Sequence, residues 1–186
     1  MSALRRAELA GTWYPDDAET CLADFAAYAR ESVEAPRARL SGAVVPHAGW
    51  AFSGSIAFNA LSELASHCED GVDTLVMFAG HLRPGAAPTV MTRGDYWTPC
   101  GVIENDVELC ERVAGAVAGI RVEDPTRHSQ DNSTEVELPM LRHLFGEGAG
   151  AGATGGARRL CVVGAPPDGK AQALGRSVAQ AARALG

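Results

Sequence analysis

Thr74-Leu75-Val76-Met77-Phe78-Ala79-Gly80-His81 is the stretch on which the fold turns. One Thr is followed by five apolar residues in a row and then by a Gly-His break. A strand with one wet face would alternate polar and apolar residues, whereas a continuous run of this length fits a strand covered on both faces, as in a parallel sheet. Upstream, Gly42-Ala43-Val44-Val45 is a second short run that stops at Pro46-His47-Ala48-Gly49-Trp50. Its β-branched pair and the break after it predict a short buried strand leading into a loop. Downstream, Leu160-Cys161-Val162-Val163 ends at Gly164 and a Pro166-Pro167-Asp168-Gly169 turn.

Helical spacing fills the intervals. Ile56, Ala57, Ala60, Leu61 and Leu64 share one face of a helix that starts near Ser53-Gly54, with Ser53 as N-cap. Further helices are expected over Asp17 to Glu34, Asp106 to Val117, Glu135 to Phe145 and Ala171 to Leu185. Strands near 42–45, 74–79 and 160–163 alternating with amphipathic helices predict one α/β domain over residues 1–186, in three layers, with a mainly parallel central sheet and helices on both faces. In the segment 146–156, six of eleven residues are Gly and no side chain is large enough to pack, so a flexible surface loop is expected there.

Composition narrows the function. The 186 residues carry 16 Lys and Arg against 23 Asp and Glu, a formal charge of −7, and 46% of the chain is hydrophobic. That balance excludes disorder along the whole length and argues against a general nucleic-acid binder, which needs a basic face. No apolar run approaches the roughly 20 residues of a membrane span, and no signal peptide is visible after Met1, so a cytoplasmic address is expected. Five scattered cysteines without a C-x-x-C pair predict neither a disulfide framework nor a thiolate zinc site. Cys100 stands apart because it sits in the turn-like Trp97-Thr98-Pro99-Cys100-Gly101.

His47 and His81 each follow a predicted buried strand by one or two residues. In an open parallel sheet such strand ends share one edge, where ligands bind, so the two imidazoles could share a metal ion or could each serve only to bond a neighbouring turn. His128 and Glu135 flank Ser129-Gln130-Asp131-Asn132-Ser133-Thr134, where Asp131, Asn132 or Ser133 would be natural N-caps. Capping does not account for the flanking His and Glu, which makes this loop a second part of the candidate site. His67 and His143 fall in helical patterns and read as surface residues. Neither a P-loop, a G-x-G-x-x-G turn nor a G-x-S-x-G elbow is present.

Five ordered motifs then resemble the Memo-like proteins, also known as protein B of the AmmeMemoRadiSam system. Ala10-Gly11-Thr12-Trp13-Tyr14-Pro15 resembles the family's A-G-x-[FW]-Y-P, and Pro46-His47-Ala48-Gly49-Trp50 with Phe52-Ser53-Gly54 its P-H-A-G-[YW]-x-[YF]-S-G. Gly80-His81 resembles a shortened form of its G-x-x-H or G-x-H strand end, Thr98-Pro99-Cys100-Gly101 is similar to T-P-[LF]-G, and the stretch Asp131 to Pro139 to E-H-S-[LI]-E-x-Q-L-P. The resemblance implies a fold shared with class III extradiol dioxygenases, whose two histidines and a third ligand hold a non-haem iron. It implies His47 and His81 as metal ligands and a divalent metal, Fe(II) first and copper or zinc as alternatives. It further implies His128 and Glu135 as catalytic groups, and Trp13, Trp50, Ser53 and Cys100 as substrate-binding residues.

The chain departs from the pattern at Asn132, where the family has His, and at Asp131, where it usually has Glu. Family members also continue past the strand-helix unit at 160–185 into a segment that supplies a third metal-site histidine. A facial triad for Fe(II) needs one more protein ligand; Glu135, Asp131 or His128 are the internal candidates, and without one of them no firmly held metal is expected. Two functions follow from the resemblance: a non-catalytic or weakly active module that binds a metal, a small molecule or a peptide, and an iron-dependent dioxygenase acting on a small aromatic diol. The shortened sheet should be covered by a second copy of the chain, by a separately encoded partner, or by the 171–185 helix folding back; neither nucleic acid nor membrane is an expected partner.

Overall fold

The structure, a computed structural model, describes residues 2–31, 40–68, 72–128, 130–146 and 159–185. Its seven strands are β1 (Leu4–Arg5), β2 (Thr74–Ala79), β3 (Thr89–Val90), β4 (Asp95–Thr98), β5 (Gly101–Asn105), β6 (Arg121–Val122) and β7 (Arg159–Gly164). The helices are α1 (Ala18–Ala29), α2 (Trp50–Ser66), α3 (Val107–Ala116), α4 (Asn132–Glu135), α5 (Leu138–Phe145) and α6 (Ala171–Arg183).

β7 is the hub of the sheet. Along its full length it pairs in parallel with β2, from Thr74↔Arg159 to Ala79↔Gly164. On its other flank it pairs in parallel with β5 at Arg159 and Leu160, and antiparallel with β3 at Val163 and Gly164. β4 runs antiparallel to β5, while β1 and β6 add in parallel to β4 and β3. The sheet is therefore mixed, with more parallel than antiparallel pairings, where the sequence predicted a mainly parallel one.

Side chains alternate across β7 and divide the core into two layers. Leu160 and Val162 pack into a cluster with Phe25, Trp50, Phe58 and Met140, from the α1, α2 and α5 side. Cys161 and Val163 pack with Leu109, Val113, Leu174 and Val178, from α3 and α6. Helices thus cover both faces at β7, as the alternation of runs predicted.

β2 departs from the expectation of a strand covered on both faces. Leu75 and Met77 pack on the first cluster, but Val76 and Phe78 are 37% and 51% exposed. Their register partners are Cys161 and Val163, so they lie on the α6 face of the sheet, at an edge strand that α6 does not cover. The predicted strand at 42–45 does not form: the segment makes no ladder, Val44 is fully exposed, and only Val45 leans on the core. β propensity without a neighbouring strand to pair with leaves this run irregular.

Helix boundaries follow local chemistry. Asp17 caps α1 by accepting from Thr20 N at 2.8 Å, and Asp106 caps α3 by accepting from Leu109 N at 3.0 Å. α1 ends at Ala29, before the expected Glu34, and residues 32–34 lie outside the described residues, as does most of the predicted loop at 146–156. α2 begins at Trp50 with Gly49 as its cap, so Ser53 is not the N-cap; it sits in the first turn, its hydroxyl donating to Ala48 O at 3.3 Å. The helix expected over 135–145 is split by a turn at Val136–Glu137, because Pro139, in the first turn of α5, has no N–H to give to Glu135 O.

Candidate functional site

The parallel pair β2 and β7 ends at Gly80 and Gly164. Gly80 has φ +100°, and a Cβ there would come within 3.3 Å of Gly164 Cα, so this close strand-end approach requires glycine. The chain turns here into His81, which is held from α4. Ser133 Oγ accepts from Gly80 N at 2.7 Å, and Asp131 Oδ2 accepts from His81 N at 2.8 Å. Asp131 Oδ1 lies 3.1 Å from His81 Nδ1 and also accepts from Ser133 N and Ser133 Oγ, at 2.9 and 2.7 Å. The N-cap of α4 is thus at the same time the orienting partner of His81. Burial pushes the Asp131 carboxyl up, but the bonds from Ser133 and His81 outweigh it and hold it below the ordinary value.

His47 arrives from the irregular segment just before α2. Asn132 Nδ2 donates to His47 O at 2.7 Å and lies 3.1 Å from His47 Nδ1. The two imidazoles meet edge to face, with ring centroids 4.9 Å apart. The structure therefore brings together His47 and His81, as strand-end placement predicted, even though one of the two strands is absent. With Nδ1 donating to Asp131, His81 presents a free lone pair at Nε2; with Nδ1 accepting from Asn132, His47 presents an N–H at Nε2. The pair is one acceptor and one donor.

The remaining predicted residues serve other places. Glu135 is buried and accepts from Leu9 N at 2.6 Å and from Tyr14 OH at 2.9 Å. Burial, followed by the Glu135 charge, drives the Tyr14 hydroxyl well above its usual pKa. His128 tucks its ring into the interior, with Nδ1 3.0 Å from Pro125 O and Nε2 3.9 Å from Glu8 Oε1. Trp50 is a core pillar, stacked on Tyr14 with ring centroids 5.3 Å apart and tilted against Phe25 at 5.1 Å, with its indole N–H donating to Val136 O at 2.8 Å. Truncating such a ring costs about 3–5 kcal/mol. Trp13 is 40% exposed, Ser53 is buried in α2, and Cys100 sits partly buried in the β4–β5 turn, its N–H donating to Thr98 Oγ1 at 3.1 Å. His143, expected at the surface, is half-buried and stacks on Phe25, with ring centroids 4.9 Å apart.

Glu137 was missed by the sequence reading. It is buried, and among the described residues neither carboxylate oxygen has a hydrogen-bond partner. Burial, helped by the nearby Asp131 charge, pushes its pKa up to about 8. The available signal was the Gln at this place in E-H-S-[LI]-E-x-Q-L-P, a neutral amide where this chain has a carboxyl group. A small cavity of about 30 Å³, room for one water, shares Gly80 and Asp131 with the histidine site and reaches back to Arg5 and the buried Tyr96 hydroxyl.

The donor set bears directly on metal binding. Asp131 orients His81 through Nδ1 as outer-shell carboxylates do for metal-binding histidines. In the tautomer that accepts from Asn132, His47 has its N–H where a ligand needs a lone pair, and among the described residues no group of three or more His, Cys, Asp or Glu converges. The residues present do not fit a three-ligand facial iron site.

A family model described as "Memo-like protein" matches residues 5–154. A MEMO1 family protein of Methanococcoides burtonii is 36% identical over 105 residues, 56% of this chain and 37% of its own length. A second, from Methanopyrus kandleri, is 37% identical over 110 residues, covering 58% and 38% of the two chains. A third, from Thermococcus kodakarensis, is 31% identical over 189 residues, which takes in 98% of this chain and 61% of its own. The chain thus spans between about two fifths and three fifths of the length of these relatives. With motifs, histidine pair and profile in agreement, the chain belongs to the Memo-like family.

Proposed function

We propose that the chain is a ligand-binding Memo-like module in which His47 and His81 recognise a small polar ligand as a donor-acceptor pair, and in which His81 Nε2 alone holds a divalent ion weakly. The observation that carries this reading is the opposite buttressing of the two rings, by Asn132 and by Asp131. Asn132 keeps His47 an N–H donor, and Asp131 keeps His81 an acceptor. A ligand bearing one oxygen, such as an alcohol, a phenol or a water, satisfies both at once.

The competing reading is an Fe(II)-dependent dioxygenase of a small aromatic diol. The His81–Asp131 bond favours it, because that bond leaves His81 Nε2 poised as a ligand. It requires a third protein donor from outside the described residues, either from a longer chain or from a partner. Anaerobic Fe(II) titration followed by oxygen uptake with a catechol panel separates the two. The module reading expects iron binding with a Kd in the tens of micromolar or weaker and no uptake; stoichiometric iron with diol-dependent uptake would establish the oxygenase. A cytoplasmic setting is part of the proposal and is supported by five cysteines that are all unpaired.

No helix among the described residues is long and apolar enough to cross a membrane.

A further inference from the structure

β2 is an edge strand: one side pairs along its whole length with β7, and among the described residues the other side pairs with nothing. Side chains alternate across it. Leu75, Met77 and Ala79 pack toward the α1, α2 and α5 layer, which leaves Thr74, Val76 and Phe78 on the face that α6 does not cover. No residue from Thr74 to Ala79 is charged, and none is Gly or Pro, so the strand carries none of the devices that block pairing at an open edge. The charges stand just beyond its ends, with the exposed Asp73 before it and the exposed His81 and Arg83 after it.

We propose that this edge is a homodimer interface, in which β2 pairs antiparallel with β2 of a second copy of the chain about a two-fold axis at Met77. A closed dimer is built on a two-fold axis. For two copies of one strand lying edge to edge and antiparallel, that axis stands perpendicular to the sheet, so each face of one subunit continues into the same face of the other. Residues directly opposite one another must then share a face. Centring on Met77 sets Val76 against Phe78 of the partner subunit and Phe78 against the partner's Val76, an aromatic and β-branched pair made twice. Centring on Val76 would leave Phe78 facing the partner's Thr74, and centring on Phe78 would leave Val76 facing the partner's Gly80.

The ends of the strand match in the same register. Asp73 comes opposite the partner's His81, in the turn that also carries Arg83, so a carboxylate of the second subunit stands at the rim of each histidine site. A parallel, in-register pairing would instead set Asp73 against Asp73, and like charges directly opposite are destabilising. The backbone argues for a strand as the occupant. A helix could cover Val76 and Phe78 but would leave the outer N–H and C=O groups of β2 without partners. A second β2 satisfies both, being a strand of equal length with an acid and a base at corresponding ends.

Oxidative cross-linking of the full chain reads the register. A mixture of Val76→Cys and Phe78→Cys proteins, oxidised with copper phenanthroline and mapped by mass spectrometry, should give the 76–78 cross-link between subunits in several-fold excess over the 76–76 and 78–78 products. Hydrogen exchange of wild type needs no variant to fold: amides of residues 74–79 should exchange more slowly in concentrated than in dilute solution, while those of β7 should not change. A 76–76 or 78–78 product in excess would overturn the register. Protection of 74–79 that is the same at both concentrations would overturn the dimer, since the chain itself, through residues 42–45 or another segment, would then cover the edge. Sedimentation as a monomer at the higher concentration would overturn it as well.

Discussion

Glu135 Oε1 and the Tyr14 hydroxyl stand 2.9 Å apart in the interior, and the same oxygen takes the backbone N–H of Leu9 at 2.6 Å. A residue that the family pattern marks for chemistry is here a clasp, tying the A-G-T-W-Y-P segment to α4. Glu135→Ala leaves a buried N–H and a buried hydroxyl without an acceptor, each costing about 1–3 kcal/mol. Urea unfolding should show a loss of about 2–5 kcal/mol, whereas Tyr14→Phe, which removes a donor and leaves the Leu9 bond in place, should lose no more than about 2 kcal/mol. A Glu135→Ala protein as stable as wild type would refute the clasp.

Glu137 gives the fold a pH signature. Its folded pKa of about 8 lies above the ordinary 4.5 because burial disfavours the charge. The native state therefore binds the extra proton, and the stability it contributes is complete below about pH 4.5 and is lost as pH rises through about 8. Glu137→Gln removes the titration. Unfolding free energies of the two proteins should diverge from pH 5 to pH 9 in favour of the variant, by a few kcal/mol at the alkaline end. Parallel profiles would mean that the carboxyl finds a partner.

Asp131 is predicted to control metal affinity without touching the metal. Asp131→Asn removes the charged acceptor behind His81, and loss of such an outer-shell partner typically weakens binding about 10- to 100-fold. Calorimetric titration with Co(II) reads the change directly. Asn132→His, which restores the family's residue, should alter metal affinity less than His81→Ala does. Equal affinity in Asp131→Asn and wild type would show that His81 does not need its carboxylate.

The free edge of β2 is a pairing hazard. Among the described residues its outer N–H and C=O groups have no ladder, and Phe78 and Val76 project beside them on the open face. At micromolar concentration light scattering should report a mass above the 19.4 kDa of one chain. Phe78→Lys, which puts a charge on that face, should return the mass to a monomer. A clean monomer of wild type would contradict the prediction.

How much of this was legible in the sequence depends on what each residue's reading needed. Leu160 to Val163 read correctly because a hub strand is covered on both faces and carries an unbroken apolar run. Gly42 to Val45 ends in the same Val-Val pair, and nothing within it says that a neighbour to pair with is missing. Val76 and Phe78 failed for the related reason that a run's hydrophobicity does not state how far a distant helix extends. The His47–His81 pairing was readable from strand-end placement, but the opposite hydrogen-bonding roles of the two rings depend on which atom of Asn132 and of Asp131 faces them. His128 and Glu135 flank a capped turn, and only tertiary contact with Glu8, Leu9 and Tyr14 turned them inward.

The hub position of β7 also sets an order of assembly. β2, β3 and β5 all precede it, and three of their contacts close only on residues 159–164: Leu75 with Leu160, Asn105 with Leu160, and Val90 with Val163. Until that strand leaves the ribosome, β2 has no partner and the β4–β5 hairpin has no sheet to join. Closing loops of this span costs entropy that grows only slowly with length, but the closure delays every contact that depends on it. The nascent chain must carry the apolar run at 74–79 without its strand partner through the synthesis of some eighty residues, so the interval in which a chaperone is useful is written into the position of one strand.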